Sequence, residues 1–85
     1  SLEQNKKARQ DMTFQLDNVR GSDGYISPES WRLAKKAWVN VGLDTEDFIR
    51  QFYIYINPVH PQDYGIREQK YLKGETGPEI KIINK

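Results

Sequence analysis

The chain contains no cysteine and only one histidine, His60. Without cysteine it has neither disulfides nor a thiolate-bound zinc site, and one histidine without ligating neighbours does not make a metal site. No apolar run approaches the roughly 18–20 residues that a membrane span needs, and no signal-peptide pattern is visible. We therefore predict no cofactor, no membrane contact and a location in the cytoplasm.

An excess of charge of either sign is also missing. Thirteen Lys and Arg residues oppose twelve Asp and Glu residues, which gives a net charge of +1, whereas a general polyanion binder is usually far more basic. What the sequence does have is aromatic side chains, namely two Trp, five Tyr and three Phe among 85 residues. Large rings bury much surface from few positions, so we predict one small folded domain rather than a disordered chain.

The first predicted helix follows a polar segment, residues 1–7, which we expect to be disordered. Its apolar positions are spaced by four, four and three residues, as in one stripe of an amphipathic helix: Ala8, Met12, Leu16 and Val19. This spacing matches the helical period. Gly21 and Gly24 predict that the helix ends near Arg20.

The second helix has clear signals at both ends. Ser27 is a suitable N-cap, and Pro28 fits the first turn because its missing amide donor is not needed there. Gly42 fits a left-handed stop, with Leu43 making the accompanying apolar contact. The predicted buried stripe, including the two residues that widen it, is Trp31, Ala34, Trp38, Val41, Leu33 and Ala37.

The third helix is predicted to begin after Asp44 or Thr45 and to end at Asn57-Pro58. Beyond it the helical period is lost, and two short strands, residues 69–73 and 79–83, are compatible with a hairpin. The predicted fold class is therefore mainly α, a small three-helix domain with an extended C-terminal tail. Residues 8–66 would form the helical domain, and residues 67–85 the extended tail or hairpin.

The loop before the second helix partly matches an EF-hand calcium loop. Gly24 and Ile26 occupy the positions of the required glycine and of the hydrophobe that pairs with a neighbouring loop. The same register places Val19 and Gly21 where carboxylate ligands are needed, and Ser30 where the bidentate glutamate belongs. We therefore interpret this segment as a glycine turn followed by a helix cap, without a metal.

Two sets of side chains are candidates for binding. Arg32, Lys35 and Lys36 form a basic patch on the second helix, which is either a solvated face or a nucleic-acid contact; the acidic start of the third helix disfavours phosphates. The aromatic side chains are too many for the second and third helices to bury alone. Rings that stay exposed would mark a partner surface, and the candidates are Tyr53, Tyr55 and Tyr64.

The run from Asp23 to Pro28 (DGYISP), with Trp31, Ala37-Trp38, Phe48 and Asn57-Pro58, resembles segments of bacteriophage and prophage proteins of poorly defined role. The resemblance covers about residues 20–66 and carries no catalytic residue. It implies a module within a larger virus-encoded protein and adds a virion to the cytoplasm as a predicted location.

No catalytic constellation is recognisable by spacing, and the paired acids Glu46 and Asp47 are explained by the helix dipole. We predict a non-enzymatic protein-interaction or assembly module whose partner is another protein or another part of its parent chain. The alternative is a small nucleic-acid-binding domain that uses Arg32, Lys35 and Lys36. An enzymatic role would need residues outside this sequence.

Overall fold

The structure is a computed structural model that describes residues 2–75. It contains four α-helices: α1 (Leu2–Val19), α2 (Pro28–Asn40), α3 (Thr45–Phe52) and α4 (Ile66–Leu72). Two 3₁₀ turns, Tyr53–Tyr55 and Pro61–Asp63, connect α3 to α4. The predicted mainly α fold is confirmed, and over residues 2–75 the only β pairing is an isolated parallel bridge between Ile26 and Ile56. None of the helices in this part of the chain is long and apolar enough to cross a membrane.

The ends of α2 are those that the sequence predicted. The Ser27 hydroxyl accepts from the Ser30 amide at 3.1 Å, and Pro28 is the first helical residue. At the other end Gly42 has a φ of +90°, its amide donates to Val39, and the Leu43 amide donates to Trp38. This pair of hydrogen bonds satisfies two carbonyls that the helix leaves open, as in a Schellman motif.

Two segments differ from the prediction. Helix α1 begins at Leu2 instead of Ala8, because residues 2–7 are mostly good helix formers and include no Gly or Pro. Residues 66–72 form α4 instead of an extended tail, so the strand predicted for 69–73 is wrong. Gly74, with a φ of +77°, ends α4 by a second Schellman motif rather than turning a hairpin. The other predicted strand, 79–83, lies outside the described residues.

A chain of aromatic contacts forms the core. Trp31 packs on Phe48 with ring centroids 4.7 Å apart, and Trp38 lies 5.6 Å from both Phe48 and Phe52. Helix α2 therefore contributes both of its tryptophans to the seam with α3, as predicted, and both are 1% exposed. The remaining buried hydrophobic residues are Met12, Leu16, Ile26, Ile49, Tyr55, Ile56 and Tyr64.

The loop between α1 and α2 is tied to the segment after α3. The Ile26 amide donates to the Tyr55 carbonyl at 3.0 Å, and the Tyr64 hydroxyl donates to the Ile26 carbonyl. Gly24, at a φ of +90°, turns the chain so that Ile26 reaches this position. The Asp23 carboxylate accepts from the Tyr25 amide at 3.0 Å, so the loop is the glycine turn that we inferred.

Four apolar positions assigned to the helical stripes are exposed instead of buried, namely Val19, Leu33, Ala37 and Val41. Val19 on α1 is 50% exposed, while Leu33 and Val41, at or beside α2, are 69% and 68% exposed. The stripe prediction fails here because no other element of residues 2–75 covers this side of the α1–α2 pair. Only the part of each stripe that points towards α3 is buried.

We expect Trp31→Ala and Trp38→Ala each to lower the free energy of unfolding by about 3–5 kcal/mol, because each leaves a large cavity in a small core. Val39→Ala on the same helix is the control, and since Val39 is exposed it should change stability by less than about 0.5 kcal/mol. Denaturant unfolding followed by circular dichroism measures both. An unchanged midpoint for either Trp variant would show that this ring is not in the core.

Candidate functional site

A groove runs between α1 and α2 on the side away from α3. Among the described side chains of α1, Met12 and Leu16 are the only buried ones, so the neighbouring apolar positions of its stripe remain at the surface. Helix α2 also leaves apolar positions at the surface, because its two tryptophans face α3 and its alanines face α1. Small side chains on both helices leave a recess between them.

Two cavities, each of about 180 Å³, make up this groove. The first, named here the Val19–Leu33 cavity, is lined by Gln15, Leu16, Val19, Ser30, Leu33, Ala34 and Ala37. The second, the Ala8–Val41 cavity, is lined by Ala8, Asp11, Met12, Gln15, Ala37, Trp38 and Val41. Because both cavities share Gln15 and Ala37, they form one continuous surface, which we call the α1–α2 groove.

The chemistry of the α1–α2 groove is mainly apolar. Ala37 and Gln15 lie at its centre, where the two cavities meet, and the exposed side chains of Val19, Leu33 and Val41 lie along it. Asp11 is the one charged side chain among its described lining residues. An apolar recess with few polar groups is a surface for other apolar side chains, and one carboxylate offers no acid–base pair.

A second cleft, of about 310 Å³, lies between loop 21–28 and segment 57–64. Its lining contains more titratable side chains than that of the groove, namely Asp23, His60 and Asp63. Over residues 2–75, no group of three or more His, Cys, Asp or Glu side chains is arranged to hold a metal ion. Burial raises the pKa of the Tyr64 hydroxyl in this cleft, and that hydroxyl is already bonded to Ile26. We therefore regard the α1–α2 groove as the better candidate.

A buried carboxylate on the opposite side of α2 was not anticipated from the sequence. Glu68 of α4 is 1% exposed. It accepts a hydrogen bond from the indole of Trp31 at 2.7 Å and one from the ammonium of Lys35 at 2.6 Å. These contacts attach α4 to α2, because a buried charge is tolerated only when it is paired and hydrogen-bonded.

Several contacts determine the pKa of Glu68. Burial raises it, but hydrogen bonds from Lys35, Trp31 and the residue's own amide lower it by more, so the pKa lies below the ordinary value of 4.5. Gly65 makes room for this carboxylate, because a Cβ atom at that position would collide with it. Residue 65 is therefore glycine for packing reasons, since its φ of −71° suits any residue.

The structure separates the three basic residues that the sequence grouped together. Lys35 is partly buried and paired with Glu68. Arg32 and Lys36 are exposed, and neither forms an ion pair within residues 2–75. Of the predicted nucleic-acid patch, Arg32 and Lys36 therefore keep charges that are not paired within the described residues.

The three candidate partner-contact aromatics also lie in different environments. Tyr55 and Tyr64 are 8% and 6% exposed, and the Tyr55 hydroxyl donates to Asp17 at 2.9 Å. Tyr53 is half-buried and packs against Tyr71 with ring centroids 5.9 Å apart. A partner role for these rings stays a prediction, and Tyr53 offers the most surface for it.

No protein-family model, curated protein or solved structure matches this chain. The resemblance of residues 20–66 to bacteriophage segments stays a prediction. The function is therefore inferred from the surface of the domain.

We expect Glu68→Gln to lower the free energy of unfolding at pH 7 by about 1.5–3 kcal/mol, the range for hydrogen bonds to a charged group. The pKa of Glu68 is lower in the folded state than in the unfolded chain. Its ionised form therefore stabilises the fold above the unfolded pKa, and that stabilisation is lost as the pH falls through the folded pKa. The difference between the two proteins should shrink below about pH 4.5.

Denaturant unfolding between pH 7 and pH 3 measures this difference, with Glu75→Gln as the control because Glu75 is exposed. A stability difference that is the same at pH 7 and pH 3 would contradict the paired, ionised state of Glu68.

Proposed function

We propose that this domain is a non-enzymatic protein-interaction module and that its partner binds in the α1–α2 groove. The observation that carries the proposal is the exposure of Val19, Leu33 and Val41 along one continuous recess. Isolated exposed hydrophobic residues are normal on a protein surface, but a contiguous apolar groove is characteristic of binding sites.

The shape of the groove supports the proposal. Ala8, Ala34 and Ala37 leave space between the helices, and larger side chains lie beside that space. A partner side chain that fills either cavity would be surrounded by apolar atoms and removed from water. Buried anchors of this kind supply most of the affinity in protein interfaces, and each fully buried aliphatic side chain contributes about 1.5–3 kcal/mol.

The nucleic-acid alternative has less support. The charge of Lys35 is used inside the protein by Glu68, so Arg32 and Lys36 would have to attract phosphates alone. Affinity for a nucleic-acid backbone grows with the number of neutralised phosphates. Two free cations beside the acidic first turn of α3 favour weak, non-specific binding at most.

A role in assembly within a larger virus-encoded protein is the wider form of the proposal. It follows from the resemblance of residues 20–66 to bacteriophage segments, and the groove is compatible with it. The groove accommodates an apolar surface from a separate protein or from another part of the parent chain.

We expect Ala37→Glu to weaken partner binding at least tenfold, because Ala37 lines both cavities and a carboxylate there would be buried without a partner. Ala37 is exposed in the free protein, so the fold should remain intact. The probes are peptides selected on the full chain from a display library of random 20-residue sequences. Trp38 lines the Ala8–Val41 cavity, so its fluorescence reports the titrations.

Val39→Glu is the matched control, because Val39 is on the same helix, is exposed and does not line either cavity. Arg32→Glu combined with Lys36→Glu tests the alternative and should leave peptide affinity within about twofold. Equal loss in the Ala37 and Val39 variants would contradict the proposal. Salt-sensitive DNA binding much tighter than about 10⁻⁶ M, abolished by the double charge reversal, would establish the nucleic-acid function instead.

A further inference from the structure

We infer that the α1–α2 groove accepts an amphipathic helix of another protein, anchored by two apolar side chains and oriented by a basic residue opposite Asp11. This inference rests on the proposed function and specifies the partner.

The walls of the groove favour a helix over an extended peptide. Both walls are α-helices, whose central amides and carbonyls are already hydrogen-bonded within each helix. An extended peptide adds to an exposed sheet edge, and over residues 2–75 the groove has no strand beside it. Such a peptide would bury its own amides without partners, whereas a helix satisfies them internally.

The spacing of the cavities sets the spacing of the anchors. The α1 residues that line the two cavities are centred about five positions apart, and so are the α2 residues. At 1.5 Å per residue this places the cavities about 8 Å apart along the helices. On a partner helix, separations of four and seven residues span about 6 and 10.5 Å on one face, so they bracket this distance.

Asp11 places a negative charge at one end of the groove and so makes its two ends different. It lines the Ala8–Val41 cavity, is exposed, and forms no ion pair within residues 2–75. The Val19–Leu33 cavity has no charged lining residue among those described. A Lys or Arg within one turn of the anchor in the Ala8–Val41 cavity would meet this carboxylate, so the partner helix binds in one direction.

A second copy of the described part of this chain does not fit the site. Outside the groove, its helices α1, α2 and α4 each expose one large hydrophobic residue: Phe14, Val39 and Ile66. In a symmetric pair the second copy would offer Leu33 and Val41, which are exposed but lie eight positions apart, about 12 Å along a helix and more than the spacing of the cavities. Among the described side chains, none of the three helices has two exposed large hydrophobic residues four or seven positions apart. The occupant is therefore a helix from a different protein.

The peptides selected on the full chain test this inference through their sequences. We expect those whose affinity falls at least tenfold in Ala37→Glu to share two apolar residues four or seven positions apart and a nearby Lys or Arg. When ¹³C-labelled, they should show helical chemical shifts only when bound. Asp11→Asn should weaken such a peptide about threefold or more. It should have no effect on the same peptide with its basic residue changed to Gln.

Other outcomes separate the failure of this inference from the failure of the proposed function. Peptides that are weakened by Ala37→Glu but have alternating apolar residues and the chemical shifts of an extended chain would contradict a helical partner. The proposed protein-binding function would still hold. Peptides that bind equally to Ala37→Glu would overturn both. Concentration-dependent dimerisation abolished by Ala37→Glu would assign the groove to a second copy. Peptide binding that appears only after deletion of residues 76–85 would assign it to that segment.

Discussion

The contact between α2 and α4 depends on one buried hydrogen bond, from the indole of Trp31 to the carboxylate of Glu68. A carboxylate that is 1% exposed would be strongly destabilising without partners. Its partners come from one face of α2, where Lys35 completes the pair one turn after Trp31. Helix α4 has only seven residues, too few to be stable alone, so its position depends on this contact with α2 and on contacts with α3, among them the hydrogen bond that the Tyr71 hydroxyl donates to Glu46 at 2.9 Å.

The same tryptophan also determines where the apolar core ends. The ring of Trp31 packs on Phe48 and lies 6.1 Å from the ring of Tyr64, while Trp38 donates to the carbonyl of Asp44 at the start of α3. Both tryptophans of α2 are thereby directed towards α3, and Trp38 also lines the Ala8–Val41 cavity of the groove. The surface that α2 turns to α1 consists mainly of small residues, and α1 buries only two side chains against the core. The groove is the physical consequence of this division.

Much of the fold is encoded in local signals. The caps at Ser27 and Asp44 and the stop at Gly42 follow from hydrogen bonds within a few residues of each helix end, and the structure has all three. Gly74 ends α4 in the same way as Gly42 ends α2, but it was interpreted as a hairpin turn. The glycine itself does not distinguish the two, because both turns need a positive φ. Glu68, Tyr71 and Leu72 have the spacing of one helix face, which indicates α4. This pattern is hard to recognise because one of its buried positions is a glutamate, a residue that is rarely buried.

The groove could be predicted only in part. The stripes of α1 and α2 were recognised from periodicity, which identifies apolar positions but not the element that covers each one. Whether Val19, Leu33 and Val41 are buried depends on contacts with distant segments. Helix α4 does not cover them, because Glu68 attaches it to the other side of α2. For the same reason, the sequence predicts Lys35 to be part of a surface patch, because its partner Glu68 is 33 residues away.

The most direct test of this account is an NMR experiment on the methyl-labelled full chain bound to one selected peptide. We expect intermolecular NOEs from the peptide to the methyl groups of Leu33 and Ala37. The resonance of the Trp31 indole N–H should not shift, because this group stays bonded to Glu68. NOEs confined to Val59 or Ile66, which are exposed outside the groove, would contradict it.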